Sequence, residues 1–475
     1  MRTTARAARI AAYWLIAATI LALLAAVVVN LHDEEISPLA RKMSRLEPHP
    51  VPVADNAYVA LLGITAPADA DSLAEGARLV AEQDESAARD PFSRQRAPRR
   101  GPDEDDDSRI VFQGARDLAC DPLREPCLPL VRVRAAAIAA LLAANAALVE
   151  RYHEAQRMPI FVTAPIADQR RADAARSEAG LVHALLLTST MQGAQSGRLS
   201  EACAALGVDG VFWRRALTGS GTLGDRIGAL RALSEDVRSA SELIAWAGFD
   251  AAACAPALGP LLAPLSRDET SLAEIFRESF VPTLRMLASW PDPTISMEPE
   301  PWFERQLKET AVYDLFYRRN ASINRAARLH ADLVALAEAP AGRFAAAKAA
   351  FLAANRDLTA VGPAWIFNPL GRSLIGRHLP LQLDAIAHAH GVAAYVALVR
   401  MQLALRLAAV PSIDVPAFLG RAGPEMRNPL DDAPFRWDPA ARTLSFDPPD
   451  RRWRRWGASV PIAAPEAAAV TMTIR

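Results

Sequence analysis

The chain has 475 residues, a net charge of −1 at pH 7 and a hydrophobic fraction of 51%. A near-neutral chain lacks the strong positive charge that nucleic-acid binding needs, so we expect no nucleic-acid partner. The length and hydrophobic fraction indicate a globular chain of two or three lobes. Alanine-rich segments with helical periodicity predominate, and alternating β-branched runs are rare before the C-terminus. This pattern predicts a mainly α fold.

Residues 10–29 form an apolar segment without a charged residue. At about 1.5 Å rise per residue, such a helix crosses a hydrocarbon core of roughly 30 Å. A secretory signal has a shorter apolar region and a small-x-small cleavage site, so an uncleaved transmembrane anchor over residues 10–30 is favoured over a cleaved signal. We therefore expect residues 10–29 to contact a lipid bilayer.

The orientation of this anchor follows from the basic residues near its ends. Three lie on each side: Arg2, Arg6 and Arg9 before it, and Arg41, Lys42 and Arg45 after it. The N-terminal group is closer to the apolar segment, which favours a cytoplasmic tail over residues 1–9 and an exported remainder.

The four cysteines, an even number, suit an oxidising compartment. Cys120 and Cys127 flank a proline-containing segment that suits a short closed loop, and Cys203 and Cys254 would then pair by elimination. The alternative is a zinc site, which usually has a second closely spaced pair of Cys or His ligands. No such second pair is present in the sequence, so disulfides are favoured and no metal site is expected.

The chain divides into a proline-containing stalk over residues 31–54, a helical lobe over 55–290, a second helical lobe over 291–427 and a small β appendage over 428–475. Residues 91–108 inside the first lobe are charged and proline-containing, which predicts a mobile solvated loop. Their acidic run, residues 103–107, lacks the spacing of an EF-hand loop, so we expect no calcium there.

Helical periodicity predicts helices over residues 131–157, 166–195, 200–217, 225–246, 268–290, 302–338, 342–360 and 378–408. Asp55 or Asn56 is expected to cap a short helix before them, Asp69 or Asp71 the next one, and Asp225 the helix over 225–246. Two alternating runs around residues 438–439 predict a β-hairpin, and residues 470–474 predict a final strand.

Motifs for catalysis are weak. The glycines of residues 219–224 match G-x-G-x-x-G, but they follow an apparent helix end rather than a buried strand, so an interhelix loop is favoured over a dinucleotide site. His388 and His390 are two residues apart and point to different sides of a helix. His330 lies on an apolar stripe, which favours a core histidine. We therefore expect no catalytic residue, cofactor or metal, and favour a protein that is not an enzyme.

One surface feature could bind a ligand. It is a run of four arginines and two tryptophans, whose side chains suit an anion or a lipid headgroup. Its residues are Arg451, Arg452, Trp453, Arg454, Arg455 and Trp456. The alternative, which we favour, is that the arginines pair with nearby acids and the indoles dock the β appendage.

Three short motifs near the C-terminus carry a resemblance to known proteins. They are residues 367–372 (Phe-Asn-Pro-Leu-Gly-Arg), 428–437 (Asn-Pro-Leu-Asp-Asp-Ala-Pro-Phe-Arg-Trp) and 443–446 (Thr-Leu-Ser-Phe). This part of the chain, roughly residues 360–450, resembles the C-terminal half of uncharacterised membrane-anchored envelope proteins of proteobacteria. The resemblance implies a bacterial envelope location and no functional residue. Together with the anchor and its orientation, this location predicts a single-pass protein of the bacterial inner membrane with a periplasmic body.

Two function hypotheses follow. The first, which the sequence favours, is a non-enzymatic scaffold or interaction module of the cell envelope, with an envelope protein as partner. The second is an envelope enzyme or ligand-binding protein that acts on lipid or cell-wall material. A pocket that holds convergent ionisable groups would favour the second.

Overall fold

The computed structural model describes residues 2–45, 51–87, 108–163, 169–289, 316–360, 362–449, 453 and 456–462. Within these ranges the chain is mainly helical and has a small three-stranded sheet near its C-terminus. The prediction of a mainly α fold is therefore confirmed. Most of the predicted loop 91–108, the first part of the predicted helix 302–338 and the predicted strand 470–474 lie outside the described residues.

Helix α1 (Arg2–Val29) contains the predicted apolar segment. Over Ala12–Val29 the mean hydropathy is 2.5, and none of this window is buried against the protein. The side chains of Tyr13, Trp14 and Leu15 are 71–74% exposed. Helix α1 thus presents an apolar surface that the other described residues do not cover.

The end of α1 is hydrogen-bonded to the helical body. Asn30 is fully buried. Its side-chain amide donates to the carbonyl of Ile366 at 2.7 Å, and its side-chain oxygen accepts from the backbone N–H of Asn368 at 2.8 Å. The carboxylate of Asp33 accepts two backbone N–H groups, at 2.8 and 3.0 Å, in the first turn of helix α14 (Arg319–Ala337). Such a carboxylate also stabilises the positive end of a helix dipole.

Residues 34–43 continue along the same surface. Asn324 of α14 donates to the Glu34 carboxylate at 2.8 Å and accepts from the backbone N–H of Ser37 at 2.7 Å. The Ser37 side chain caps helix α2 (Pro38–Met43). This part of the predicted stalk, residues 31–54, therefore packs against the body instead of extending away from it.

Four helices follow: α3 (Ala57–Leu62), α4 (Ser72–Ala87), α5 (Cys127–Ala144) and α6 (Ala146–Arg157). Asn56 caps α3, since its side chain accepts from the backbone N–H of Tyr58. Asp71 precedes α4 and accepts the N–H groups of residues 73 and 74. Each cap is one of the two residues predicted for its helix.

The prediction of one helix over residues 131–157 is wrong, because the helix is interrupted at Asn145. This residue has φ −112° and ψ 20°, outside the helical region. Its side-chain oxygen accepts from the N–H of Gln113 at 2.7 Å, and its amide donates to the carbonyls of Gln113 and Leu141 at 2.9 and 2.8 Å. These bonds satisfy a nearly buried amide at the junction of α5 and α6.

The next four helices are α7 (Gln169–Gln195), α8 (Leu199–Gly219), α9 (Leu223–Ala245) and α10 (Ala251–Leu262). The first three match predicted helices to within a few residues. The N-cap of α9 is Thr222 and not Asp225 as predicted, because the Thr222 side chain accepts from the Asp225 N–H. A threonine at N-cap with an acid three residues later is a common helix start.

Helices α8 and α10 pack at short range. A Cβ atom on Gly207 would lie 2.2 Å from the carbonyl oxygen of Ala257, so glycine is required for this approach. The disulfide between Cys203 and Cys254 joins the same two helices, with Cα atoms 5.4 Å apart. Two independent features thus hold this helix pair together.

The remaining helices are α11 (Arg267–Thr270), α12 (Ala273–Glu278), α13 (Phe280–Ser289), α14, α15 (Phe344–Ala354), α16 (Arg356–Thr359), α17 (Pro369–Gly376), α18 (Leu379–Leu407) and α19 (Val415–Gly420). Short 3₁₀ segments occur at Arg116–Leu118, Ala341–Arg343, Pro363–Ile366 and Pro424–Met426. The helix predicted over 268–290 is three short helices, since Ser266 and Glu269 form a capping box and Ser271 then ends α11. The helix predicted over 378–408 is confirmed as α18.

The sheet contains β1 (Arg436–Asp438), β2 (Thr443–Ser445) and β3 (Ser459–Pro461) in antiparallel order. The hairpin of β1 and β2 confirms the prediction around residues 438–439. Gln402 of α18 donates to the carbonyl of Ser241 in α9 at 3.1 Å and to that of Pro461 in β3 at 2.6 Å. Helices of both predicted lobes and the β appendage therefore contribute to one continuous core.

Candidate functional site

A cavity of about 460 Å³ lies among α3, α7, α8 and α9. Its apolar wall includes Tyr58, Leu61, Leu62, Phe161, Leu181 and Trp213. Three arginines also line it: Arg116, Arg176 and Arg231. A cavity of this size with an apolar wall and a few charged groups is typical of small-molecule sites.

The arginines of the cavity are held by carboxylates. Arg176 lies 3.0 Å from Asp225, and Arg231 lies 2.7 Å from Glu235 and 3.2 Å from Asp121. The side chains of Arg176 and Arg231 are nevertheless 33% and 52% exposed. Their guanidinium groups are thus positioned and still partly accessible to a ligand.

Four helices bring a buried ionisable cluster to one side of this cavity. The cluster, called here the His183 cluster, consists of Tyr152 from α6, His183 from α7, Asp209 from α8, and Glu235 and Asp236 from α9. His183 and Glu235 line the cavity. All five residues are at most 7% exposed. Charged groups at such depth require partners, since an isolated buried charge is costly.

His183 is the centre of this cluster. Its Nδ1 atom lies 2.8 Å from Asp209 Oδ2, and its Nε2 atom lies 3.3 Å from Glu235 Oε2 and 3.8 Å from Asp236 Oδ1. The Tyr152 hydroxyl donates to Asp209 at 2.9 Å. The imidazole therefore lies between carboxylates on both of its nitrogen sides.

Asp236 is the least satisfied member of the cluster. It is fully buried, and no N–H or hydroxyl donor of the described residues forms a hydrogen bond with either of its carboxylate oxygens. Its charged neighbours are the His183 imidazole, at 3.8 Å, and the Asp209 carboxyl group, with which it can share a proton. A buried carboxylate without a donor costs free energy unless it carries a proton or binds a cation. Asp236 is thus the residue of the cluster that most requires an additional partner.

The charges of the cluster are coupled. Burial, followed by the charge of Asp209, raises the pKa of Asp236 well above its usual range. Burial lowers the pKa of His183, but the charges of Asp209 and Asp236 outweigh it, and the net pKa is raised. Burial raises the pKa of Asp209, but the His183 charge and its hydrogen bond hold the net value below its usual range. The three groups thus titrate together, with a proton favoured on His183 and Asp236 and the ionised form favoured for Asp209.

Three members of the cluster can also hold a metal ion. One ligand atom from each of His183, Asp209 and Asp236 lies within 4.8 Å of the other two. One imidazole nitrogen and two carboxylate oxygens are ligands of first-row divalent metals. The cluster can therefore hold either protons or a cation. As an imidazolium, His183 is a proton donor and not a free general base.

The predicted disulfides are present. Cys120 and Cys127 are bonded, with Cα atoms 5.6 Å apart, as are Cys203 and Cys254. Cys120 also lines the cavity. The zinc alternative for these cysteines is thus excluded by their pairing.

Trp453, from the predicted anion or lipid-headgroup cluster, is 1% exposed. Its ring lies 4.9 Å from Tyr395 and 5.5 Å from Trp456, between ring centroids. A Cβ atom on Gly391 would lie 2.2 Å from its indole nitrogen, so glycine lets the indole approach α18. These contacts agree with the interpretation that the indoles dock the β appendage.

The four arginines of that cluster, Arg451, Arg452, Arg454 and Arg455, lie outside the described residues. Their contact with an anion or a lipid headgroup therefore stays a prediction.

His330 and the glycine string of residues 219–224 contribute to the packing of the helical body. His330 is buried and lies 2.8 Å from the carbonyl of Phe276, as expected for a core histidine. Gly219 ends α8, and its Cβ position would lie 1.4 Å from the carbonyl oxygen of Phe161. The G-x-G-x-x-G string thus follows a helix, as expected for an interhelix loop.

Sequence reasoning did not identify the His183 cluster. Its signal was present, since Asp209 and Asp236 occupy positions on helix faces that are otherwise apolar, for example between Leu233 and Val237. A charged residue at such a position indicates a buried polar partner. The partner itself, His183 on another helix, has no fixed spacing from them in the sequence.

No protein-family model, curated protein or solved structure matches the chain.

Proposed function

We propose that the chain is a single-pass protein of the bacterial inner membrane, with an exported helical body that binds a small amphipathic ligand in the cavity beside the His183 cluster. The observation that carries the proposal is the cavity itself, which combines an apolar wall with arginines and buried ionisable groups. The class of ligand is a lipid-like molecule with an apolar part and an acidic head.

The anchor is supported by the exposed apolar surface of α1. Removal of such apolar surface from water contributes about 25 cal/mol of favourable free energy per Å². Insertion into a bilayer is therefore favoured over contact with water. Helix α5 also has the length and hydropathy of a span, but 28% of it is buried in the protein. It carries Arg132 and Arg134, and the latter donates to the carbonyl of Asp117. Only α1 is therefore proposed as a span.

Export is supported by both disulfides, because such bonds persist in oxidising compartments. A periplasmic reporter fused after Arg475 should be active, and Cys120 should be found bonded to Cys127 by mass spectrometry of unreduced peptides. Activity of a cytoplasm-only reporter at the same position would refute the orientation.

The ligand class follows from the chemistry of the cavity wall. The aromatic and aliphatic side chains favour an apolar chain, and the partly exposed Arg176 and Arg231 can form charge-assisted hydrogen bonds with a carboxylate or a phosphate. A body held at the bilayer surface has such amphiphiles within reach. This is the second of the two function hypotheses, and the pocket criterion stated above favours it over a scaffold.

The experiment uses two glycines of the cavity wall. Gly180 in α7 and Gly228 in α9 line the cavity, and a Cβ atom at either position meets no atom within 4 Å. A leucine at either site can therefore occupy the cavity without disturbing its packed surroundings. Gly420 at the end of α19 has equally open surroundings and does not line the cavity. Gly420→Leu is the matched control.

Membranes that contain the full chain are incubated with a photoreactive fatty acid, irradiated and analysed by peptide mass spectrometry. We expect labelling of cavity peptides from α3 and α7, reduced to background in Gly180→Leu and Gly228→Leu and unchanged in Gly420→Leu. Labelling of α1 is an internal control for lipid access. Labelling restricted to α1 would refute ligand binding and favour the scaffold hypothesis.

A further inference from the structure

The His183 cluster has an arrangement that ligand binding in the cavity does not require. His183, Asp209 and Asp236 come from three different helices and direct one ligand atom each toward a common point. Facing helices of a bundle are a usual source of metal ligands. The Asp236 carboxylate is fully buried at this point, and among the described residues it accepts no hydrogen bond from an N–H or hydroxyl donor, which is a second observation that indicates a missing cation.

We propose that His183, Asp209 and Asp236 bind one divalent first-row transition-metal ion, with Zn²⁺ or Mn²⁺ as the probe. The donor set of one nitrogen and two oxygens suits such ions better than Ca²⁺, which prefers six to eight oxygens. The chain offers no competing thiolate, since its four cysteines are all in disulfides.

The distances allow such an ion after a local adjustment. Around a tetrahedral Zn²⁺ with bonds of about 2.0–2.2 Å, two ligand atoms lie roughly 3.3–3.6 Å apart. The three ligand atoms lie within 4.8 Å of one another. The most widely spaced pair must therefore approach by at most about 1.5 Å when the ion binds.

Neighbouring groups complete the site. The Tyr152 hydroxyl and the Gln156 amide both donate to Asp209 Oδ1, at 2.9 and 2.6 Å, and fix the orientation of this carboxylate. Glu235 is held by Arg231 at 2.7 Å and lies on the other side of His183. Such outer hydrogen bonds orient ligands and raise metal affinity. His183 lines the cavity, which provides an entry path for the ion.

The competing interpretation is a proton shared between Asp209 and Asp236, with no metal. Asp236→Asn separates the two. The amide has the shape of a protonated carboxyl and can donate to Asp209 as that carboxyl would, so the variant should fold, but it removes the anionic ligand. The matched control is Asp225→Asn, which alters a buried acid of the same cavity that is not in the cluster.

The test uses the full chain purified in detergent, stripped with a chelator and titrated with Zn²⁺ and, separately, Mn²⁺. We expect one ion per chain by elemental analysis, an affinity at least about tenfold weaker in Asp236→Asn and in His183→Gln, and no change in Asp225→Asn. The metal should raise the melting temperature of the wild type and of Asp225→Asn, but not that of Asp236→Asn.

Two results would overturn the metal site. The first is a wild type that retains no stoichiometric ion, as the shared-proton interpretation predicts. The second is equal binding in Asp236→Asn with an unchanged circular dichroism spectrum. The outcome is separable from that of the cavity proposal, since Gly180→Leu should lose the photoreactive fatty acid and keep the metal, while Asp236→Asn should lose the metal.

Discussion

Removing the Cys203–Cys254 disulfide should destabilise the protein more than removing the Cys120–Cys127 disulfide. The two bonds close loops of very different length, with sequence separations of 51 and 7 residues. In the chain-entropy model, the stabilisation grows with the logarithm of loop length and amounts to about 4.1 kcal/mol for the longer loop and about 2.4 kcal/mol for the shorter one. The difference is about 1.7 kcal/mol.

The surroundings of the bonds do not reverse this order. After loss of the longer bond, α8 and α10 still pack at Gly207. After loss of the shorter one, the Glu242 carboxylate still accepts the N–H groups of Cys127 and Leu128 at 2.8 and 2.7 Å. The α8–α10 pair and the start of α5 thus keep other contacts in the folded state when their disulfide is removed. The difference in stability between the two variants is therefore set by the entropy of the unfolded chain.

The assay is thermal unfolding of the full chain in detergent, followed by circular dichroism. The variants are the double substitutions Cys203→Ala with Cys254→Ala, and Cys120→Ala with Cys127→Ala. With an unfolding entropy of about 2.1 cal/mol/K per residue, we expect the melting temperature to fall by about 4 °C and about 2–3 °C, respectively. An equal or larger fall in the second double variant would refute the loop-length explanation.

Two further predictions concern packing and pH. Gly207→Ala should lower stability by about 1–3 kcal/mol, because its Cβ would lie 2.2 Å from the backbone oxygen of Ala257. Gly180→Ala is the control, because a Cβ atom at this position meets no atom within 4 Å, and it should gain up to about 1 kcal/mol through helix propensity. The free energies of unfolding are measured by chemical denaturation, and equal changes in the two variants would contradict the close packing at Gly207. Burial lowers the pKa of His390 to about 4, below the unfolded value near 6.5. The unfolded state therefore binds more protons in this interval, and stability should fall by about 3 kcal/mol as pH decreases from 6.5 to 4. His390→Phe should flatten this part of the pH profile, and an unchanged slope would exclude His390 as its source.

Local patterns predicted the helices well where the deciding contacts lie within the helix. Helix α18 is a long apolar stretch with a proline at its start, and its observed bounds differ from the prediction by one residue at each end. The break at Asn145 was missed because its partner, Gln113, is 32 residues away in the sequence. A helix predicted from apolar periodicity alone therefore continues through this residue.

The candidate site could not be predicted either, because it too depends on contacts between residues that are distant in the sequence. Its residues lie on four helices, and their convergence depends on how α7, α8 and α9 pack. The pairing of Cys203 with Cys254 could be inferred because elimination leaves one choice, whereas His183 has many acids as potential partners. Tertiary packing alone selects Asp209 and Asp236 from among them.

The contacts of Asn30 and Asp33 with the helical body have a mechanical consequence. With α1 in a bilayer, as proposed, these hydrogen bonds couple the tilt of α1 to the orientation of α14, whereas a flexible linker would leave the helical body free to rotate. The body would then present a fixed side to the membrane surface. Exchange of α1 for an unrelated transmembrane helix would preserve location, and exchange that also removed Asn30 and Asp33 would release that orientation.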